Sequence, residues 1–480
     1  MNKKISTKLL YGLIPLFFTG CLNSIDGTPC MSNSDCASNI CTNGVCEEDT
    51  AGAIETDSNM ETGSDFETDT FEKVTYDALD ILLVVDNSNS MAEEQAIMSN
   101  SLATFINGFT APLKNVVNSS LKDIRIAVTT TDMGLQWDGN PFIPDDYGAF
   151  GRLVSSSSRY LEYGNNGALL TDILDPTAEV ALSSGQIQCT QVLYQCPEGW
   201  SCDNIDEYGE GTCTAPSPEL LTFNCGELAN KYFPIDPPYI SISTNNTFGS
   251  TEAALSAACL VNTGNKGFGI EQQLIAATKA LSDDNGFLRP NAITLVIVLS
   301  DEDDGSLKDG PVFFTSDEAN NYDYTMINVA LGENPEALFS STEIIDKLTA
   351  AKAKLIGSAQ AKDSTYLLSI AGVPITEKCQ GFGDEIKECL DVPLLNGTVG
   401  DPAIEERVTV TGGVAYFYEN ACERYDDDVP ITLAVPGTRF VTVAQEMGEN
   451  AYIYSICNPD WNSAFLDVAK AIGSKIESSK

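Results

Sequence analysis

Leu79 to Val85 is a nearly continuous apolar run, the pattern of a strand covered on both faces. Behind it Met98, Leu102, Phe105, Ile106 and Phe109 fall at i, i+4, i+7, i+8 and i+11, one face of a helix. Ile124 to Val128 reads as a second strand. Ile270, Leu274, Ala277 and Leu281 mark another amphipathic helix, and Ile293 to Leu299 is the strongest buried strand of the chain. Tyr366 to Ile370 and Ala451 to Ile456 read as further strands. A closing helix carries Trp461, Phe465, Val468, Ala469, Ile472 and Ile476 at core spacing. Strands alternating with helices predict an α/β fold, a doubly wound, mostly parallel sheet flanked by helices. This domain is expected over residues 76–478, interrupted by disulfide-rich insertions near 189–225 and 375–435. The first holds five cysteines, and Cys259 makes six; the second holds Cys379, Cys389 and Cys422, with Cys457 as a further partner. Spacing leaves the pairings open. Both insertions read as surface pieces stapled to the core.

The N-terminal part has a different texture. Lys3, Lys4 and Lys8 precede an apolar stretch, Leu9 to Phe18, too short to span a bilayer as a mature helix. Phe18-Thr19-Gly20-Cys21 follows and resembles a bacterial lipoprotein cleavage box. That resemblance implies a signal peptide over 1–20, lipidation of Cys21, and a cell-envelope protein held in the outer membrane by lipid, on its periplasmic or its surface face. Leu22 after the cysteine resembles outer-membrane sorting signals. The other reading is an ordinary secretory signal with an incidental cysteine. Residues 21–46 form a small cysteine-rich module, with Cys30, Cys36, Cys41 and Cys46 too close together to enclose a core without disulfides. Residues 47–75 are an acidic linker whose repeat, E-T-D-S-N-M, E-T-G-S-D-F, E-T-D-T-F-E, has a period of six and should stay extended.

Charge narrows the function. The 480 residues carry 26 Lys+Arg against 69 Asp+Glu, a formal net charge of −43, and no histidine. A chain so acidic is a poor match for nucleic-acid phosphates. The missing histidine removes Ser-His-Asp and Cys-His catalysis and every His-containing zinc site. Of fifteen cysteines, setting Cys21 aside leaves an even number, as disulfides in an exported protein require.

Ligands of parallel α/β sheets sit beyond the C-terminal ends of the strands. Asp86, Ser88 and Ser90, in V-V-D-N-S-N-S-M, follow the first strand. Asp301, in L-S-D-E-D-D-G-S, follows the strongest one, and Thr263 lies in a loop, V-N-T-G-N-K-G. Thr129 to Thr131 lie near another strand end. An all-oxygen set suits a divalent cation, Mg²⁺ or Mn²⁺, with Ca²⁺ less favoured when few ligands are available. Two carboxylates and three hydroxyls leave such an ion incompletely neutralised, so a partner's Asp or Glu would complete it. Ser90-Met91-Ala92-Glu93 also fits a capping box, which explains a serine at 90 but neither Asp86 nor Ser88. Glu302, Asp303 and Asp304 either feed a second, calcium-like site or are solvated.

D-N-S-N-S after a buried strand, a loop threonine and an aspartate after a second buried strand resemble the metal-ion-dependent adhesion site of the von Willebrand factor A family. The resemblance implies that Ser88, Ser90 and Thr263 touch the metal through hydroxyls, and that Asp86 and Asp301 bind it directly or through water. The chain also resembles a group of exported bacterial lipoproteins in which V-V-D-N-S-x-S-M, a G-x-G-x-E-Q helix start (Gly267, Gly269, Glu271, Gln272), S-D-E-D-D and a late S-I-C recur. The implied function is a lipid-anchored binding protein that captures an acidic residue of a protein partner, and not an enzyme. Two alternatives stand: an envelope scaffold that needs no metal, and a metal-assisted hydrolase with Glu302 or Asp303 as its base. The oligomeric state is left open.

Overall fold

The computed structural model describes residues 41–42, 45–46, 73–88, 90–91, 94–99, 101–102, 121–131, 133, 135–137, 140–143, 152–153, 168–182, 188–190, 201–203, 210–214, 221–243, 250–264, 271–282, 285–308, 335–391, 404–410, 413–418, 420–426, 429–458 and 461–480. The chain divides into two compact units, Met1–Thr70 and Phe71–Lys480. In the first, an antiparallel hairpin pairs Cys41–Thr42 with Val45–Cys46. The signal segment 1–20, the lipidation candidate Cys21 and the repeat at 55–72 lie outside the described residues. So do Phe105, Ile106, Phe109 and Ile270.

The second unit is built on a seven-stranded sheet. Its strands are β1 (Ala78–Val85), β2 (Asp123–Thr130), β3 (Ile240–Ser243), β4 (Ala292–Leu299), β5 (Thr365–Ala371), β6 (Gly381–Phe382) and β7 (Ala451–Ser455). Their spatial order is β3-β2-β1-β4-β5-β7-β6. The inner strands β2, β1, β4, β5 and β7 run parallel, while β3 and β6 close the two edges antiparallel. Its helices include α1 (Cys225–Tyr232), α2 (Ser250–Val261), α3 (Gln273–Ser282), α4 (Ser341–Ile356), α5 (Ser358–Asp363), α6 (Thr438–Met447) and α7 (Asn462–Ser479), and residues 94–99 and 101–102 are also helical.

Side chains alternate across a strand with a period of two, and here both faces are apolar. Leu79, Ile81, Leu83 and Val85 of β1 point to one core with α2, α7, Met98 and Leu102. Leu82 and Val84 point to the other, with Leu274 and Leu281 of α3, Leu348 of α4 and Phe440 of α6. The mostly parallel sheet with helices on both faces expected from the periodicity is therefore present. Far from the strands' C-terminal ends, Arg289 forks the buried Asp80, donating from Nε (2.8 Å) and Nη2 (2.6 Å) to Oδ1. Lys352 Nζ donates to the carbonyls of Arg289 (2.6 Å) and Ala292 (2.5 Å) at the start of β4.

Disulfides join Cys225 to Cys259, Cys379 to Cys389 and Cys422 to Cys457. All six cysteines are buried. Cys225–Cys259 ties the start of α1 to α2 inside the core, where burial favours the apolar disulfide.

One close approach fixes the loop beside the C-terminal end of β5. Gly437 N donates to Gly372 O at 2.7 Å, and a Cβ on Gly372 would lie 1.8 Å from the Val435 carbonyl oxygen. Val435 N in turn donates to Asp301 O at 2.9 Å. Gly372→Ala is therefore expected to destabilise the fold by about 1–3 kcal/mol through overpacking, read as a lowered thermal midpoint.

Candidate metal centre

Strand order reverses between β1 and β4: the chain leaves β1 for β2 on one side, and β5 and β7 follow β4 on the other. That reversal opens a crevice at the C-terminal strand ends. The backbone ladder continues past both strands, with Asp86 N donating to Leu299 O (3.0 Å) and Ser300 N to Ile370 O (3.1 Å). Asp86 and Asp301 therefore begin the loops on either side of the crevice.

Three of the five sequence candidates are linked by hydrogen bonds, and Asp301 lies beside them. Ser88 N donates to Asp86 Oδ1 at 2.8 Å, and the hydroxyls of Ser88 and Ser90 are 3.2 Å apart. Ser90 favours the charged form of the nearby Asp301 carboxylate, against the larger effect of burial. Asp86, Ser88 and Asp301 are buried, while Ser90 is exposed and opens the run to solvent. Thr263, two residues past α2, joins through Gln95. Gln95 Nε2 donates to Thr263 Oγ1 (3.0 Å), to the Asp86 carbonyl (2.7 Å) and to the Gly264 carbonyl (2.8 Å). Gln95 escaped the sequence reading because one polar residue on a helix face carries no local mark of such a role. The Glu93 half of the capping-box alternative lies outside the described residues.

Further groups converge here. The Ser300 hydroxyl donates to Asp86 Oδ2. Thr131 N donates to Val85 O (3.2 Å), and the Thr131 hydroxyl is buried without a partner. Glu271, just ahead of α3, is 1% exposed, and neither of its carboxylate oxygens has a hydrogen-bond partner. Its carbonyl accepts from Gly305 N at 2.7 Å, which fixes it against the acidic loop after β4. Asp301 Oδ1 is likewise buried without a partner.

Two further aspartates of the acidic loop contact neighbouring elements. Asp303 Oδ1 accepts from Arg439 N at 3.0 Å, in the first turn of α6. Asp304 Oδ1 accepts from Leu274 N at 2.9 Å, in the first turn of α3, and its Oδ2 accepts from Arg439 Nη2 at 3.0 Å. These two aspartates hold helix starts and a salt bridge.

Electrostatics sets this end of the sheet apart. Burial pushes Asp86 up to about 6, against hydrogen bonds from Ser300 and Ser88 that hold it lower. Burial, then repulsion from Asp86 and Glu302, lifts Asp301 and Glu271 well above the carboxylate range. Glu302 is pushed up to about 8 by burial and by Asp86, and Asp303 to about 7 by burial despite Arg439. A cation among these groups would oppose every one of those shifts.

Among the described residues, no three Asp, Glu, His or Cys side chains form a ready-made cage for a metal ion. The run at Asp86 has another make-up, hydroxyls with two carboxylates. Its unpartnered Asp301 oxygen and its all-oxygen donors fit a hard divalent cation. No helix among the described residues is long and apolar enough to cross a membrane.

No protein-family model matches the chain. No curated protein is significantly similar to it. A pilus adhesin from Streptococcus pneumoniae is 12% identical over 84% of this chain and 44% of its own, with a TM-score of 0.23. An adhesive tip pilin from Group B Streptococcus agalactiae is 13% identical over 51% of this chain and 32% of its own, with a TM-score of 0.17. This chain thus spans less than half the length of either protein. Likeness at that level defines neither a family nor a function.

The raised carboxylates give a pH dependence with a definite sign. Each holds its proton more tightly folded than unfolded, so the metal-free native state binds more protons than the unfolded chain. Stability from these groups is present at low pH and is lost as pH rises through about 6 to 8. Thermal midpoints measured between pH 5 and 9 in chelator are expected to fall with pH. Saturating Mg²⁺ should flatten that fall.

Proposed function

We propose that the second unit is a von Willebrand factor A-like domain that binds a protein partner through a divalent-metal adhesion site. The observation that carries this reading is the hydrogen-bonded set Asp86–Ser88–Ser90 at the sheet's switch point, beside Asp301, whose Oδ1 is buried without a hydrogen-bond partner. Asp86 and Asp301 would supply the negative charge, and Ser88, Ser90 and Thr263 neutral oxygens. A carboxylate from a partner's Asp or Glu would enter from the side where Ser90 is exposed.

The surroundings favour a protein partner. The hairpin Cys422–Asp426 with Val429–Ala434 leads directly into Val435, which is bonded to Asp301. Its Arg424 and Thr432 turn inward to the buried Glu94, while Tyr425 and Leu433 are exposed. Exposed aromatic and aliphatic side chains beside a charged site are typical anchors of protein interfaces. Of the two bases considered for a hydrolase, Asp303 is engaged with the start of α6, which weighs against that alternative. Lipid attachment at Cys21 would place the domain at the cell envelope, with residues 47–75 as its tether.

Calorimetric titration of the full chain with Mg²⁺, Mn²⁺ and Ca²⁺ tests the reading, beside Asp86→Ala. Saturable binding that the substitution abolishes is the expected result. An intact chain that binds none of the three would favour the metal-independent scaffold.

A further inference from the structure

We propose that Glu271 is an additional ligand of this centre, making its shell carboxylate-rich and selective for Ca²⁺ over Mg²⁺. The inference rests on the metal-site reading above and extends it to a residue outside that ligand set.

Glu271 is buried, and both its oxygens lack a hydrogen-bond partner. Besides its own backbone, the groups acting on it are acids: Asp86, Glu302 and Asp301. The donors at the start of α3 are already engaged. Leu274 N and Ile275 N, at the start of α3, donate to Asp304 Oδ1 and Ser306 Oγ, both at 2.9 Å. Arg439 is turned to Asp304 and to the Phe339 carbonyl. The backbone holds Glu271 in place from two sides, through Gly305 N to Glu271 O (2.7 Å) and Gln272 N to Thr131 O (3.1 Å). A buried carboxylate without donors, facing other carboxylates, is strongly unfavourable as an anion unless a cation joins it.

The donor count then bears on the choice of ion. Mg²⁺ keeps several waters and is usually held by one or two carboxylates, whereas Ca²⁺ accepts more oxygens, several of them carboxylate, in looser geometry. Asp86, Asp301 and Glu271, with the hydroxyls of Ser88, Ser90 and Thr263, suit the larger ion. These acids do not form a closed cage as they stand, so Glu271 reaches the ion directly by a turn of its flexible side chain. A partner's acid would then replace a ligand instead of entering an open place.

Titrating the full chain and its Glu271→Gln variant with Ca²⁺ and Mg²⁺ tests this, together with water-proton relaxation of the Mn²⁺ forms. The wild type should bind Ca²⁺ more tightly than Mg²⁺. The variant should lose roughly tenfold or more in Ca²⁺ affinity, with a smaller loss for Mg²⁺, and should relax water faster as a water fills the vacated position. Unchanged affinities and relaxation would overturn the role of Glu271, while binding lost in Asp86→Ala would leave the adhesion-site reading standing. A wild type that binds no divalent ion would overturn both. If circular dichroism shows the Gln variant unfolded, Glu271→Asp carries the test: it keeps the charge on a shorter arm, and unchanged Ca²⁺ affinity there would likewise count against the assignment.

Discussion

Carboxylates removed from water must be neutralised, by a proton, by a hydrogen-bonded cationic side chain, or by a metal ion. At the C-terminal edge of this sheet Asp86, Glu271 and Asp301 are all buried. Elsewhere the fold solves the same problem with side chains: Asp80 has Arg289, and Asp304 has Arg439. At the crevice between β1 and β4 the surrounding groups are mainly hydroxyls and other acids. The charge imbalance there sets the pH response, and on the proposed reading it is what a divalent cation would relieve.

The rest of the fold holds this edge in place. The switch in strand order puts the ends of β1 and β4 side by side. Gln95 ties the Asp86 loop to the Thr263 loop, and Val435 ties the Asp301 loop to the segment that packs against Gly372. The acidic run after β4 divides its work. Asp301 begins the loop at the crevice, while Asp303 and Asp304 secure the first turns of α6 and α3. The bridge Cys422–Cys457 holds the base of the hairpin that borders the site to the turn after β7.

Much of this was legible in the chain. The apolar runs of β1, β4 and β5 mark strands buried on both faces, and the acids that follow β1 and β4 mark their exits. The helix α2 was not legible: S-T-E-A-A-L-S-A-A-C-L-V is apolar on nearly every side, so it has no amphipathic period to detect. The short edge strands β3 and β6 are set by pairing with their neighbours rather than by pattern. Glu271 looks like any acid near a helix start until the fold brings it against Asp86 and Asp301. Asp303 and Asp304 looked like spare ligands because Arg439, more than a hundred residues away in sequence, is brought to them only by folding.

The most direct measurement is a crystal structure of the protein grown with Mn²⁺, with the metal located by its anomalous scattering. The expected result is one peak beyond the ends of β1 and β4, within bonding distance of oxygens from Asp86, Ser88 and Ser90, with Asp301 bound directly or through a water. A crevice without such a peak, in which the carboxylates are protonated and bonded to one another, would contradict the metal-dependent account.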